Sequence, residues 1–198
     1  KEGQDTSRWG NLPDVQAGPP GTFQSYGTPW ANVSNTPLRL YKTKVHEGGV
    51  STPLVAHWPA GIAANRHGAL VKDPGHLIDL MATCVEVSGA VYPTSYGKRE
   101  VRPMEGVSLV PTFKGEALQR RQPIFFEHQG NQALRDGPWK LVRVRKGGWE
   151  LYNIVEDRCE MLDLSAEQPE RVEAMKALWN AWALRADVVQ EAATKGGK

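Results

Sequence analysis

Residues 39–59 read RLYKTKVHEGGVSTPLVAHWP: Lys42, Lys44, His46 and Glu47 lead into the paired glycines Gly48 and Gly49, and a short apolar run follows that Pro59 ends. The run at 52–57 has the unbroken apolar character of a strand buried on both faces, as in the middle of a parallel sheet, and Pro59 with Gly61 closes it. The double glycine lets the backbone turn tightly just before that strand. If the segment ahead of it is extended, Lys42, Lys44 and His46 alternate onto one side.

Working outward, three regions differ in character. Residues 1–37 are rich in proline, glycine and polar side chains and carry no period, so they are expected to be loop. The middle region runs to about residue 117. In it Asp73 and Pro74 are expected to open a helix, Leu77, Leu80, Met81, Cys84 and Val87 recur at helical spacing as a core stripe, and Gly89 ends it. The last region, 118–198, holds four short strand-like runs (PIFFE, NQALR, WKLVRVR, WELYNI) separated by turn signals, which predicts an antiparallel meander. From Pro169 a helix follows with Val172, Met175, Trp179 and Trp182 on one face, expected to lie on that sheet, and the closing tail is expected to fray.

Composition narrows the function. With 24 basic against 22 acidic residues, the net charge of +2 gives no field that would attract nucleic acid or an anionic membrane, so charge must act locally. No apolar run approaches the ~20 residues of a membrane span, and no signal peptide is visible. Cys84 and Cys159 form no C-x-x-C or Cys/His cluster, which argues against structural zinc, and Cys84 reads as a buried hydrophobe.

The segment SNTPLRLYKTKVHEGGVSTPLVAHWPAGI, 34–62, resembles the sulfatase (arylsulfatase) family, whose members carry N-x-P-x-R-x-x-K, a Glu-Gly-Gly turn and a strand ending in Trp-Pro. HLIDLMATCVEVSGA, GVSLVPTFKGE, ALRDGPWKLV and WELYNIVEDRCEMLDL continue the resemblance in order. It implies the C-terminal part of an alkaline-phosphatase-like α/β sulfatase fold: 1–117 as the remainder of the large domain and 118–198 as a subdomain of four antiparallel strands with a C-terminal helix. It also implies hydrolysis of aryl or carbohydrate sulfate esters, with calcium and a formylglycine nucleophile. Neither cysteine stands in a Cys-x-Pro-x-Arg motif and no Asp-Asn pair occurs, so both groups are expected from a missing N-terminal part, and this chain alone is expected to be inactive. The expected partner is a sulfated small molecule or glycan, and the expected location is the periplasm or outside the cell.

By the same resemblance Lys42, ahead of Gly48 and Gly49, is the family's sulfate-contacting lysine, an electrostatic clamp for developing charge; read without it, Lys42 is a solvated loop lysine. His46 is either a donor to an anionic substrate or a structural hydrogen bonder. Glu127, His128 and Asn131 flank the Gln129–Gly130 turn and are candidates for contacting the organic part of the ester; the alternative is an ordinary hairpin tip. Two other functions stay open, a noncatalytic glycan- or protein-binding module and a phosphoryl-ester hydrolase of the same superfamily.

Overall fold

The computed structural model describes residues 27–188, which fall into two compact units, one running up to Thr52 and resuming at Phe125, the other spanning Pro53–Ile124. The loop expected over residues 1–26 and the fraying tail lie outside these residues. In chain order the elements are helices α1 (Gly27–Asn35), α2 (Glu47–Val50) and α3 (Ile78–Ser88), strands β1 (Ser95–Tyr96) and β2 (Arg99–Glu100), helix α4 (Val110–Lys114), strands β3 (Ile124–His128), β4 (Asn131–Asp136), β5 (Trp139–Arg143) and β6 (Trp149–Asn153), and helix α5 (Pro169–Arg185).

In the first unit β3, β4, β5 and β6 form a meander in sequence order. β4 and β5 pair antiparallel with Leu134 opposite Leu141, and β5 and β6 with Leu141 opposite Leu151. The turns follow from their residues: Gln129 (φ 54°) and Gly130 (φ 80°) both take the left-handed conformation that a two-residue hairpin loop requires. Successive residues of a strand point to opposite faces, and here both faces are buried. Leu134, Leu141 and Leu151 face α5 and meet Val172, Met175, Trp179 and Ala183, while Ala133, Val142 and Tyr152 face the other way and meet Val45. The 39–50 segment is therefore the second cover of the sheet.

Helix α5 starts at Pro169, whose missing N–H costs nothing in a first turn. Its Val172, Met175, Trp179 and Ala183 recur at intervals of three and four, the stripe that one helix face presents. Phe125 stacks on Trp182 at 5.0 Å between ring centroids, and the Trp179 indole N–H donates to the Phe126 carbonyl at 3.2 Å. Each large side chain so buried stabilises the unit by about 1.5–3 kcal/mol. The meander and the amphipathic helix match expectation; α1 does not, because 27–35 is helical although it buries no residue.

The second unit departs further from expectation. Residues 52–57 join no ladder and are exposed, Val55 at 88%: a buried parallel strand needs hydrogen-bonding neighbours on both sides, and the described residues provide none. Helix α3 begins at Ile78 and not at Asp73–Pro74, because Asp79, accepting the His76 backbone N–H at 2.7 Å, fixes the first turn there. Gly89 (φ 67°) ends it as read from the sequence. The expected core stripe is outside: Leu77, Leu80, Met81, Val87 and Cys84 are exposed, and the buried residues of α3 are Asp79 and Ala82. The unit is organised instead around the Asp79 carboxylate, which also accepts the Val107 N–H at 2.9 Å and pairs with Arg120. A Cβ on Gly106 would lie 2.2 Å from the Ile78 carbonyl oxygen, so only glycine lets the 106–109 backbone reach α3.

Candidate functional site

The segment bearing Lys42 is a turn fixed from several directions. The Lys44 N–H donates to the Tyr41 carbonyl at 3.1 Å, which makes Lys42 and Thr43 the central residues of a four-residue turn. Thr43 has φ 75° and Leu40 φ 63°, conformations that a β-branched or bulky residue adopts only where its surroundings impose them. Those surroundings are visible. A Cβ on Gly48 would lie 2.1 Å from the Leu40 carbonyl oxygen, and one on Gly49 would lie 2.0 Å from that of Lys44, so the turn folds back onto the two glycines at backbone contact. Asn35 Nδ2 donates to the Leu40 carbonyl at 3.2 Å and Asn131 Nδ2 to that of Thr43 at 3.0 Å.

Lys42 itself is exposed, and among the described residues its ammonium is paired with no carboxylate. His46, the next candidate, points inward. It is fully buried, and its Nε2 lies 3.0 Å from Glu150 Oε2. A carboxylate only accepts, so Nε2 carries the proton and Nδ1, buried without a partner, is left a bare acceptor. Burial lowers the His46 pKa against the opposing pull of Glu150, which keeps the ring neutral at pH 7. Burial would raise Glu150, but hydrogen bonds from Tyr152 and His46 and the Arg39 charge outweigh it and hold the carboxylate below its usual range.

Around this pair lies a buried ionic cluster. Arg39 Nη1 donates to Glu150 at 3.1 Å, to the Tyr152 hydroxyl at 2.6 Å and to the Glu160 carbonyl at 3.2 Å. Lys140 Nζ donates to Glu47 Oε1 at 2.8 Å and makes a charge contact of 2.9 Å with Glu160 Oε1, whose partner oxygen accepts the Glu47 N–H at 2.7 Å. Glu47, Lys140 and Glu160 are almost wholly removed from water, so each depends on the others for its charge to be tolerated. The sequence holds two hints of this cluster, Arg39 within the N-x-P-x-R segment and Glu47 of the Glu-Gly-Gly turn; Lys140, Glu150, Tyr152 and Glu160 are about a hundred residues away in the chain and no local pattern marks them.

The remaining candidates sit at the β3–β4 turn. Glu127 is exposed and accepts the Gly130 N–H at 2.9 Å, and His128 is exposed. Asn131 is buried and its amide is fully engaged with main chain: Nδ2 also donates to the His128 carbonyl at 2.9 Å, and Oδ1 accepts the Arg145 N–H at 3.1 Å. One amide thus joins the Lys42 turn to the hairpin tip. No group of three His, Cys, Asp or Glu among the described residues is placed to hold a metal, and the acids of the cluster are already paired with Lys140, Arg39 and Arg158. A calcium ion does not fit these residues.

No family model matches the chain. It is 28% identical over 179 residues to a sulfatase of Formosa agariphila, covering 82% of this chain and 31% of that protein. It is 41% identical over 102 residues to an arylsulfatase of Klebsiella aerogenes, 51% of this chain and 21% of the relative. Among solved structures, Ps i-CgsB matches with a TM-score of 0.58 at 25% identity over 75% of this chain and 32% of that one. The chain therefore spans from about a fifth to a third of the length of these three proteins. The fold, with its four-stranded antiparallel sheet and C-terminal helix, is shared with part of Ps i-CgsB. Over these stretches the chain is similar to proteins of the sulfatase family.

Proposed function

We propose that this chain is the C-terminal part of an enzyme that hydrolyses sulfate esters of carbohydrates, and that Lys42 is the cation set against the sulfate and the departing oxygen. The observation that carries this reading is the contrast at 39–50: Arg39 and Glu47 each have a counter-charge, Lys42 and Lys44 have none among the described residues, and of these two Lys42 is the exposed one, at the centre of a turn folded onto the glycine pair at backbone contact. A fixed cation without a counter-ion is what stabilises charge that grows only during reaction, because it needs no reorganisation at that moment. An ammonium is compact and carries three donors, which suits an ester oxygen losing its bond to sulfur. Asn131, Asn35 and the glycine pair hold the turn. Glu127 and His128, exposed at the hairpin tip that Asn131 ties to the Lys42 turn, are placed here as contacts to the sugar.

The nucleophile and the metal belong, on this reading, to residues outside the chain: a formylglycine would attack sulfur and a calcium ion would neutralise the sulfate. Residues 1–117 would then complete the large domain and 118–198 form a subdomain beside the substrate, and the chain alone would not turn over a sulfate ester. Carbohydrate is preferred over a simple aryl ester because a relative 32% identical to the chain is an N-acetylgalactosamine-6-sulfatase of mouse, and Ps i-CgsB has been solved with a neocarrahexaose. A periplasmic or extracellular location goes with the family likeness; among the described residues no helix is long and apolar enough to cross a membrane. The test is the kinetic effect of Lys42→Ala in the enzyme that contains this chain.

A further inference from the structure

On the α5 side of the sheet, opposite the face that Val45 covers, a cleft of about 730 Å³ lies between the Gln129–Gly130 turn and the C-terminal end of α5. Residues two apart on a strand share a face, so Gln132 lies with Leu134 and Arg143 with Leu141, on the side facing the helix. Gln132 and Arg143 are register partners on β4 and β5, and they form one wall. Asn180 stands on the α5 side and Gln129 at the turn.

Arg143 is the unusual member. Its guanidinium carbon lies 5.7 Å from the centre of the Trp149 ring, and its Nε is sealed from water with no acceptor. No carboxylate among the described residues pairs with it. The sealed Nε is out of an outside ligand's reach, but the charge Arg143 brings to the cleft is balanced by no carboxylate of its own, which suits an anion that arrives from outside. Arg145 and Asp187 also line the cleft, each with partners of its own in the protein, and Glu127 is held by the Gly130 N–H. A site for a bare anion would not carry two carboxylates. A sugar ring would use them, since its hydroxyls donate to carboxylates and accept from the amides of Gln129, Gln132 and Asn180.

We propose that this cleft is a second subsite that binds a sulfate group carried on a sugar, with Arg143 gripping the sulfate and the amide side chains taking the ring hydroxyls. It rests on the proposed carbohydrate sulfate substrate for the choice of ligand, and it lies on the other face of the sheet from Lys42. Such a subsite would hold a polysulfated chain at a residue remote from the one being cleaved.

The experiment is calorimetric titration of the full chain carrying Lys42→Ala, so that the cleft alone is read, with three probes: a sulfated galactan tetrasaccharide, the same tetrasaccharide chemically desulfated, and sodium sulfate. Binding of the sulfated sugar is expected to weaken about tenfold or more with Arg143→Gln, the loss of a charged hydrogen bond, while binding of the desulfated sugar stays unchanged. Asn180→Ala is expected to weaken both sugars. Equal affinity of Arg143→Gln and its parent for the sulfated sugar would overturn the proposal, as would sodium sulfate binding as tightly as the sugar. Thermal unfolding checks that each variant folds; should Arg143→Gln fail to, Gln132→Ala carries the test, with loss expected for both sugars and unchanged affinity contradicting the subsite. Turnover is not read at any step, so a failure of the sulfatase assignment leaves these outcomes distinguishable from it.

Discussion

The Asn131 side-chain amide donates to the Thr43 carbonyl at 3.0 Å across 88 residues of sequence, and through it the turn that carries Lys42 is tied to the β3–β4 hairpin. Thr43 sits at φ 75°, so the bond holds a residue where its own sterics would not leave it. Asn131→Asp removes both Nδ2 donors and sets a carboxylate against the Thr43 and His128 carbonyls. In the enzyme containing this chain, kcat is expected to fall about tenfold or more with KM little changed, since a displaced reacting group loses rate before it loses binding. Steady-state kinetics beside a melting curve separates that from the accompanying loss of about 1–3 kcal/mol of stability. Unchanged kcat in a destabilised variant would make Asn131 a structural amide only.

Stability should rise with pH through the range where His46 titrates. Its pKa is lowered in the folded chain by burial, so the unfolded chain binds the proton more readily. The stability tied to the neutral ring is fully present above the unfolded value of about 6.5 and is lost as pH falls through that value toward the folded one. Glu150, held below its usual range, adds loss of the same sign at more acid pH. His76, also lowered by burial, contributes in the same direction, so the comparison is between the parent chain and His46→Asn. The melting temperature of the parent should drop between pH 7 and pH 5.5 by more than that of the variant; parallel curves would show that His46 does not titrate on unfolding.

Gly48 and Gly148 make a matched pair. A Cβ on Gly48 would lie 2.1 Å from a carbonyl oxygen, whereas one on Gly148 would meet nothing within 4 Å. Gly48→Ala is expected to cost about 1–3 kcal/mol as the Lys42 turn is pushed off helix α2, and Gly148→Ala to stay within about 0.5 kcal/mol. Chemical denaturation measures both, and equal effects would mean that the contact at Gly48 is not tight.

Protection against amide hydrogen exchange should concentrate in β3–β6 and α5, where both sheet faces are buried, and be weak through 52–57, which has no ladder. Strong, even protection from Leu54 to Val87 in the purified chain would contradict this.

Those same regions mark what the sequence could and could not tell. The meander was legible because its turns are written locally, in Gln129–Gly130 and Gly137–Pro138, and α5 because Val172, Met175 and Trp179 recur within one helix. The apolar stripe of α3 was equally legible as a stripe, yet period says only that one face wants cover; Leu77 and Met81 find none among the described residues. The strand expected at 52–57 fails for the same reason, since a ladder needs a neighbour that composition cannot supply. Lys42 stood out by its motif. The bonds that hold its turn and its flanks did not, because Asn131 reaches Thr43, and Glu150 and Glu160 reach Arg39, His46 and Glu47, only through the fold.

The most direct test of the account is Lys42→Ala in the enzyme containing this chain, measured on a series of sulfate esters whose leaving groups range from nitrophenol to a sugar alcohol. One preorganised donor removed should lower kcat by about 10²–10³. The loss should be smallest for nitrophenol, which bears its own negative charge well, and largest for the sugar, which does not. Melting temperature should hardly change, since the side chain is exposed and packs on nothing. An unchanged kcat/KM across the series, or a loss independent of the leaving group, would contradict the role assigned to Lys42.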